Sequence, residues 1–357
     1  MCIDRKMRGW FRSVAVVVVL VAATTGVEPG ALRPSDPGAP AAPAFPASIR
    51  GVTISTHGSG QEWGSDRMRP TMEQLRDLGV EWVAIHPYAG IREDGTVRVY
   101  RSIDSDALAE ELTRPIREAH ALGLKILIKP HLAYWGSFAW RGAIGFEDDA
   151  SWERFWSGYR AWIVALARIT SDADGFVVGT ELARTLDQKD RWLEIIGEIR
   201  KVTRVPLTYA ANWDRYESVP FWEALDAIGI QAYFPLVGDD EPVNQSAIRA
   251  GWSRWAGKLK RYSEAQGRPV LLTELGYNHS SNTAREPWSA VTDDDGVALQ
   301  ALCTRVALEA IEREPAILGS FLWKWFPEPH PIGRNFRLAT PEMRTVIRDA
   351  WGARATP

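Results

Sequence analysis

Val270-Leu271-Leu272-Thr273-Glu274-Leu275-Gly276-Tyr277 is a short apolar run that stops at a carboxylate. A run of this length, entered from a helical stretch through Arg268-Pro269, reads as a buried parallel strand. Packing does not call for an acid at its end. Parallel α/β sheets keep their chemistry at the carboxyl ends of the strands, so Glu274 stands where a functional group belongs.

The same strand-then-polar-end pattern recurs along the chain. Strand candidates are Gly51–Thr56, Trp82–His86, Lys125–Pro130, Gly175–Thr180, Pro206–Ala210, Ala227–Ala232, Pro269–Thr273 and Ile317–Trp323. Helical periods fall between them, over Thr71–Leu78, Ser105–Leu122, Ser151–Ile169, Asp190–Lys201, Gln245–Ala265 and Gly296–Glu312. Strands alternating with helices mean right-handed βαβ units. Eight such units in about 300 residues fit a single-domain α/β fold, the closed (β/α)8 TIM barrel. Helix-to-strand connections such as Leu78-Gly79-Val80 and Leu122-Gly123-Leu124 are short. Strand-to-helix connections, over 57–67, 131–150, 233–244, 275–295 and 324–339, are long and rich in polar and aromatic residues. Loops that grow on one face only are there for binding, which puts the site at the carboxyl face.

Charge and aromatic content narrow the partner. The 357 residues carry a formal net charge of -3, so there is no broad basic field to draw nucleic acid or acidic lipid. Seventeen Trp are more than a core is expected to need, and flat rings with a polar edge suit sugar faces. Of the two cysteines, Cys2 precedes the folded part and Cys303 sits among apolar residues of a helix, where a small core residue is the expected role.

Arg5, Lys6, Arg8 and Arg12 precede the apolar run Val14–Ala23, the layout of a secretory signal. Residues 1–25 are read as a signal peptide or an N-terminal membrane anchor. Residues 26–48, rich in Pro and Ala, are read as a disordered linker, and 49–357 as the catalytic barrel. The protein is expected to be a monomer, secreted or tethered on the outer side of the cytoplasmic membrane.

Glu181 ends the fourth strand and Glu274 the seventh. Two carboxylates on one barrel rim can lie about 5 Å apart, the spacing of retaining glycoside hydrolysis. Either could instead pair with an Arg or cap the next helix. His57, His86 and His131 also sit at strand ends, with Lys129 close before the last. A metal-dependent barrel hydrolase gathers such ligands, but the first strand lacks the His-x-His pair such enzymes usually begin with. Hydrogen bonding to sugar hydroxyls is the better use of these groups, and no metal or other cofactor is expected. Trp63, Trp135, Trp140 and Trp288 lie in the long loops, where an indole can stack on a pyranose. Trp152, Trp156 and Trp162 lie within a helix and are expected to pack.

Gly179-Thr180-Glu181-Leu182, Ala211-Asn212-Trp213-Asp214, Ala232-Tyr233-Phe234-Pro235-Leu236 and Thr273-Glu274-Leu275-Gly276-Tyr277 resemble the strand-end motifs of glycoside hydrolase family 113. Gly51-Val52-Thr53-Ile54 and Lys129-Pro130-His131 add to the likeness, which runs over about residues 50 to 330. That family belongs to a clan of (β/α)8 barrels, and its characterised activity is endo-β-1,4-mannanase. The resemblance implies Glu181 as acid/base, Glu274 as nucleophile and Tyr233 as the hydrogen-bond donor that holds Glu274. It implies Trp323 as the floor of the cleaved sugar's subsite, with Trp325 as fallback if the strand register differs by two. Thr180 stands where many clan members carry Asn before the acid/base, which leaves Asn212 as candidate donor to the sugar 2-hydroxyl. The expected function is therefore retaining cleavage of a β-linked polysaccharide, with β-mannan first. Another β-glycan is the alternative within the enzyme class, and a catalytically silent glycan-binding barrel the alternative outside it.

Overall fold

The computed structural model describes residues 44–57, 60–100, 106–289, 291–293, 296–327 and 336–352. The readings of residues 1–25 and of nearly all of 26–48 lie outside the described residues. Eleven strands occur among them: β1 (Ile49–Ile54), β2 (Trp82–Ile85), β3 (Tyr88–Ile91), β4 (Val97–Arg98), β5 (Lys125–Ile128), β6 (His131–Ala133), β7 (Gly175–Thr180), β8 (Leu207–Asn212), β9 (Ala227–Ala232), β10 (Val270–Leu275) and β11 (Ile317–Trp325). Eight of these close into a barrel in the order β1-β11-β10-β9-β8-β7-β5-β2, with β1 also paired to β2 and every pair parallel. This is the expected (β/α)8 barrel.

The helices are α1 (Met68–Asp77), α2 (Asp106–Ala121), α3 (Asp149–Ile169), α4 (Lys189–Val202), α5 (Gln245–Gln266), α6 (Gly296–Arg313) and α7 (Pro341–Trp351). Local chemistry sets their ends. Asp148 accepts from the Ser151 amide at the start of α3, and Asn244 from the Ala247 amide at the start of α5. Gly267 ends α5 in the left-handed conformation. Between β8 and β9 the described chain forms only two 3-10 turns, Tyr216–Ser218 and Trp222–Ala224.

A small apolar cluster fills the amino-terminal mouth of the barrel, with Phe45, Ile49, Trp82, Leu127, Leu271 and Phe321 among its members. Phe45 is buried there because Gly175 leaves it room, so the fold begins ahead of the expected start at residue 49. The larger cluster lies between strands and helices. It holds most of the Trp surplus: Trp63, Trp156, Trp162, Trp192, Trp222, Trp252, Trp325 and Trp351 are all buried in it. The Trp count therefore reflects packing between the layers more than sugar contact. Cys303 is buried too, and burial pushes its thiol well above the usual range, as a structural residue requires.

One feature of the fold has no counterpart in the sequence reading. After β2 comes His86-Pro87-Tyr88, and after β5 comes Lys129-Pro130-His131. Proline has no N–H to continue a ladder, so both strands stop and turn outward. The chain then pairs again one layer up: Tyr88 lies opposite His131 in the parallel pair β3–β6, and β4 adds an antiparallel edge. The Lys129 amide donates to Ile85 O at 2.9 Å and the His131 amide to Pro87 O at 2.9 Å, so the pairing steps across Pro130 without losing alignment.

The seam of the barrel is tight where β11 meets β1. Gly319 has φ 140°, and a Cβ there would sit 2.0 Å from the Ile49 carbonyl oxygen. Both obstacles are backbone. Gly319→Ala should destabilise the barrel by about 2–4 kcal/mol in urea unfolding, and an unchanged midpoint would show that the seam can relax.

Candidate active site

Glu274 lies within β10 and its carboxylate is 3 % exposed. Burying a carboxylate is costly unless charge and hydrogen bonds replace water. Two groups, Lys129 and Tyr233, do so here. Lys129 Nζ is 2.5 Å from Oε1 and also donates to Thr273 O at 3.1 Å. The Tyr233 hydroxyl donates to Oε2. His131 Nε2 stands 3.7 Å from Oε1. Burial pushes the Lys129 pKa down and the Glu274 charge holds part of that shift back, leaving it lowered to about 8. Tyr233 moves the other way, its pKa raised by burial and then by the Glu274 charge, so it stays a donor.

Glu181 follows β7 directly and has φ 56°, the left-handed region that a side chain with a Cβ rarely adopts. The turn is pinned from several sides. The Glu181 amide donates to Ala210 O at 2.8 Å, the Leu182 amide to the Tyr209 hydroxyl at 2.7 Å, and Thr180 Oγ1 to Pro130 O at 3.0 Å. Strain held by this many bonds marks a residue whose direction matters. Arg141 NH1 donates to Glu181 Oε2 at 2.6 Å. Burial raises the Glu181 pKa, the Arg141 guanidinium pulls it back, and the Glu274 charge raises it again, with a net upward shift. The environments of the two acids thus differ in kind.

The histidines have assignable proton states. Arg141 NH2 lies 3.3 Å from His131 Nδ1. A guanidinium can only donate, so Nδ1 accepts and the ring proton sits on Nε2, the nitrogen nearest Glu274. Burial, then the charges of Arg141 and Lys129, push the His131 pKa well below the usual range, so the ring is neutral. Burial does the same to His86, helped by Lys129, Lys324 and Arg141. His86 Nε2 is 3.0 Å from Ser55 Oγ, and its ring stacks on His131 at 5.1 Å. Buried His86 Nδ1 and His131 Nε2 have no hydrogen-bond partner among the described residues. Both nitrogens are shielded from solvent by the side chains packed around them.

Trp323, not Trp325, faces this group. Lys129 Nζ lies 4.5 Å from the centre of its ring, and His131 stacks against it at 5.9 Å. Trp325 alternates to the other face, is 1 % exposed and lies under the Arg344 guanidinium.

Other expected contacts fall elsewhere. Trp63 is 1 % exposed; its indole donates to Ile54 O and its edge packs on His86, so it offers no free face and supports the site from beneath. His57 stacks on Phe326 at 5.2 Å, beside Lys324. Asn212 is half-buried, donates to Asp214 Oδ1 at 2.9 Å and accepts from the Trp213 amide, and it makes no described contact with either glutamate. Of the loop tryptophans, Trp135, Trp140 and Trp288 are exposed; Trp135 leans on Tyr88 and Tyr134, and Trp288 stacks on Trp213. Trp156 and Trp162 are buried in α3 and Trp152 half-buried. Among the described residues no three His, Cys, Asp or Glu side chains gather as a metal site.

Sequence reasoning missed Arg141, Lys324 and Tyr88. Lys324 Nζ lies over both Trp323 and Phe326, and burial lowers its pKa. Tyr88 is half-buried against His86 and His131, its pKa pushed up to about 12 chiefly by loss of water around it. The matched steps His86-Pro87-Tyr88 and Lys129-Pro130-His131 were the one readable signal, and it pointed only to Tyr88.

The sequence profile of Glycoside Hydrolase Family 113 matches residues 52–333. The chain belongs to this family. Both glutamates, Tyr233, Lys129 and Arg141 lie inside the matched stretch. Among solved structures, a family 113 β-mannanase from Alicyclobacillus acidocaldarius, solved in complex with ManMIm, is similar at 25% identity and a TM-score of 0.73, covering 85% of this chain and 97% of its own. A complex of a family 113 β-1,4-mannanase is similar at 22% identity and TM-score 0.75, covering 86% and 99%. The endo-1,4-β-D-mannanase of Thermotoga petrophila shares the fold at 14% identity and TM-score 0.56, covering 85% and 99%. No curated protein sequence matches the chain.

Removing Lys129 alone strands a buried carboxylate. Lys129→Met should cost about 3–5 kcal/mol of stability and abolish most activity, whereas adding Glu274→Gln should restore much of the stability. Additive losses in urea titrations of the single and double variants would count against this pairing.

Proposed function

We propose that this family 113 glycoside hydrolase is a retaining endo-β-1,4-mannanase. The observation that carries the reading is the contrast between two rim carboxylates, Glu274 clasped by Lys129 and Tyr233, and Glu181 half-buried on Arg141 with its proton affinity raised. Retaining hydrolysis needs this asymmetry, one carboxylate ionised and one acid able to keep its proton. The choice of mannan follows the β-mannanases that the fold resembles.

In this mechanism Glu274 Oε attacks the anomeric carbon as Glu181 delivers its proton to the leaving glycosidic oxygen. The C–O bond of the chain breaks and a glycosyl ester forms on Glu274. Glu181, now a carboxylate, takes a proton from water as that water attacks the anomeric carbon, and the ester bond breaks with retention. Lys129 and Tyr233 hold the nucleophile in line, and they take back its full charge when the ester is released. Trp323 offers the apolar floor for the sugar, with the stacked rings of His86 and His131 packed beside it.

We also propose that the enzyme acts outside the cell as a monomer, exported or tethered by its basic-then-apolar N-terminus. Activity in cell fractions and sizing of the released protein test this; a cytosolic, N-terminally intact product would overturn it.

The main reading is tested by product analysis on β-mannan, glucomannan, cellulose, xylan and β-1,3-glucan. Wild type should release manno-oligosaccharides of retained configuration, and Glu274→Gln should release none. Glu181→Ala should lose about 10²–10⁴-fold on polysaccharide, less on aryl glycosides with good leaving groups, and be partly rescued by azide. A Glu181 variant with normal polysaccharide turnover would sink the assignment. Activity should also survive EDTA, and a loss restored by zinc would point to a metal mechanism.

A further inference from the structure

Arg141 is a guanidinium 8 % exposed at the start of a 3-10 turn, Arg141–Ala143, in the loop between β6 and α3. Each face of it is engaged. Nε donates to Leu132 O at 3.2 Å, NH2 to His131 Nδ1 at 3.3 Å, and NH1 to Glu181 Oε2 at 2.6 Å, while the carbon centre lies 5.6 Å from the Tyr134 ring. A group held at three nitrogens does not drift toward whichever anion is nearest. It is aimed at Glu181 by the small outer sheet.

A cation bonded to a general acid opposes the acid's first task and favours its second. We propose that Arg141 is a positioning residue that sets the proton exchange of Glu181, lowering the fraction protonated before glycosylation so that the group is ionised as base in deglycosylation. This rests on the reading of Glu181 as acid/base. Before reaction, burial and the Glu274 charge hold the proton on Glu181 against the pull of Arg141. Once Glu274 is an ester, its charge is gone and the Arg141 ion pair remains. Glu181 then stays ionised to accept the proton from water, with no further movement of the protein.

The other groups around Glu181 do not duplicate this. Lys129 feels Glu181 but is bonded to Glu274, and Tyr209 and Tyr233 are held neutral, Tyr209 with its oxygen accepting from the Leu182 amide. His131 is kept uncharged, first by burial and then by Arg141 itself.

The test compares pH profiles of the full-length enzyme on two substrates: a manno-oligosaccharide, whose cleavage needs the acid, and a dinitrophenyl β-mannoside, whose departure does not. A basic limb present only with the oligosaccharide belongs to Glu181, which separates it from any limb due to Lys129. In Arg141→Gln this limb in kcat/KM should move up by about one pH unit. On the dinitrophenyl substrate kcat should fall at least about tenfold below neutral pH, with a burst of dinitrophenolate near one equivalent per enzyme as the glycosyl-enzyme accumulates. Arg141→Lys, which keeps a cation but cannot hold His131 and Glu181 together, should show the same changes at smaller size. In whichever variant folds, an unmoved limb and no burst, with rate alone reduced, would overturn the proposal. A wild type inactive on both substrates, or an active Glu274→Gln, would instead sink the hydrolase reading beneath it.

Discussion

The ion pair between Lys129 and Glu274 is the constraint on which the rest of the site depends. Neither group is buried cheaply alone, since an unpaired charge out of water is costly. Together they place a carboxylate and an ammonium side by side inside the barrel, one residue from β10 and one from the end of β5. Closing the sheet brings these positions together. An open sheet of the same strands would leave them four strand spacings apart.

Around that pair the site keeps charge and aromatic surface in close register. Trp323 lies under the Lys129 ammonium and beside the stacked pair of neutral histidines, so an apolar floor and orphaned ring nitrogens meet at one point. The second carboxylate sits on a strained residue whose direction is fixed by bonds from Ala210, Tyr209 and, through Thr180, Pro130. Two acids of the same chemistry acquire different characters because one is clasped by a lysine and a tyrosine and the other by an arginine.

The barrel and both rim glutamates were legible in the sequence because their signals are local. A strand-length apolar run, a helical period and an acid at a strand end can each be read within ten or so residues. What could not be read was contact. Arg141 is one arginine in a long loop, 40 positions from the glutamate it pairs with, and nothing in its neighbours marks it. The Trp count misled for a related reason: composition reports how many indoles exist, not which face the layers between strand and helix. Trp63 sits in a strand-to-helix loop as expected, yet that loop folds inward and buries it. The resemblance to family 113 supplied roles for residues, whereas only the folded chain shows what holds each of them.

The outer sheet formed by β3, β4 and β6 has a consequence of its own. Its strands are short, its ladder is separate from that of the barrel, and prolines mark both points where the chain leaves the main wall. A unit of this size has little cooperativity of its own, and Ala89, Ile91 and Leu132 bury it in the main core instead. Because Tyr88, His131 and the loop carrying Arg141 belong to it, the groups around both glutamates are held by the same packing that holds the wall. The outer layer would then lose its order together with the barrel, and catalysis and fold would fail as one.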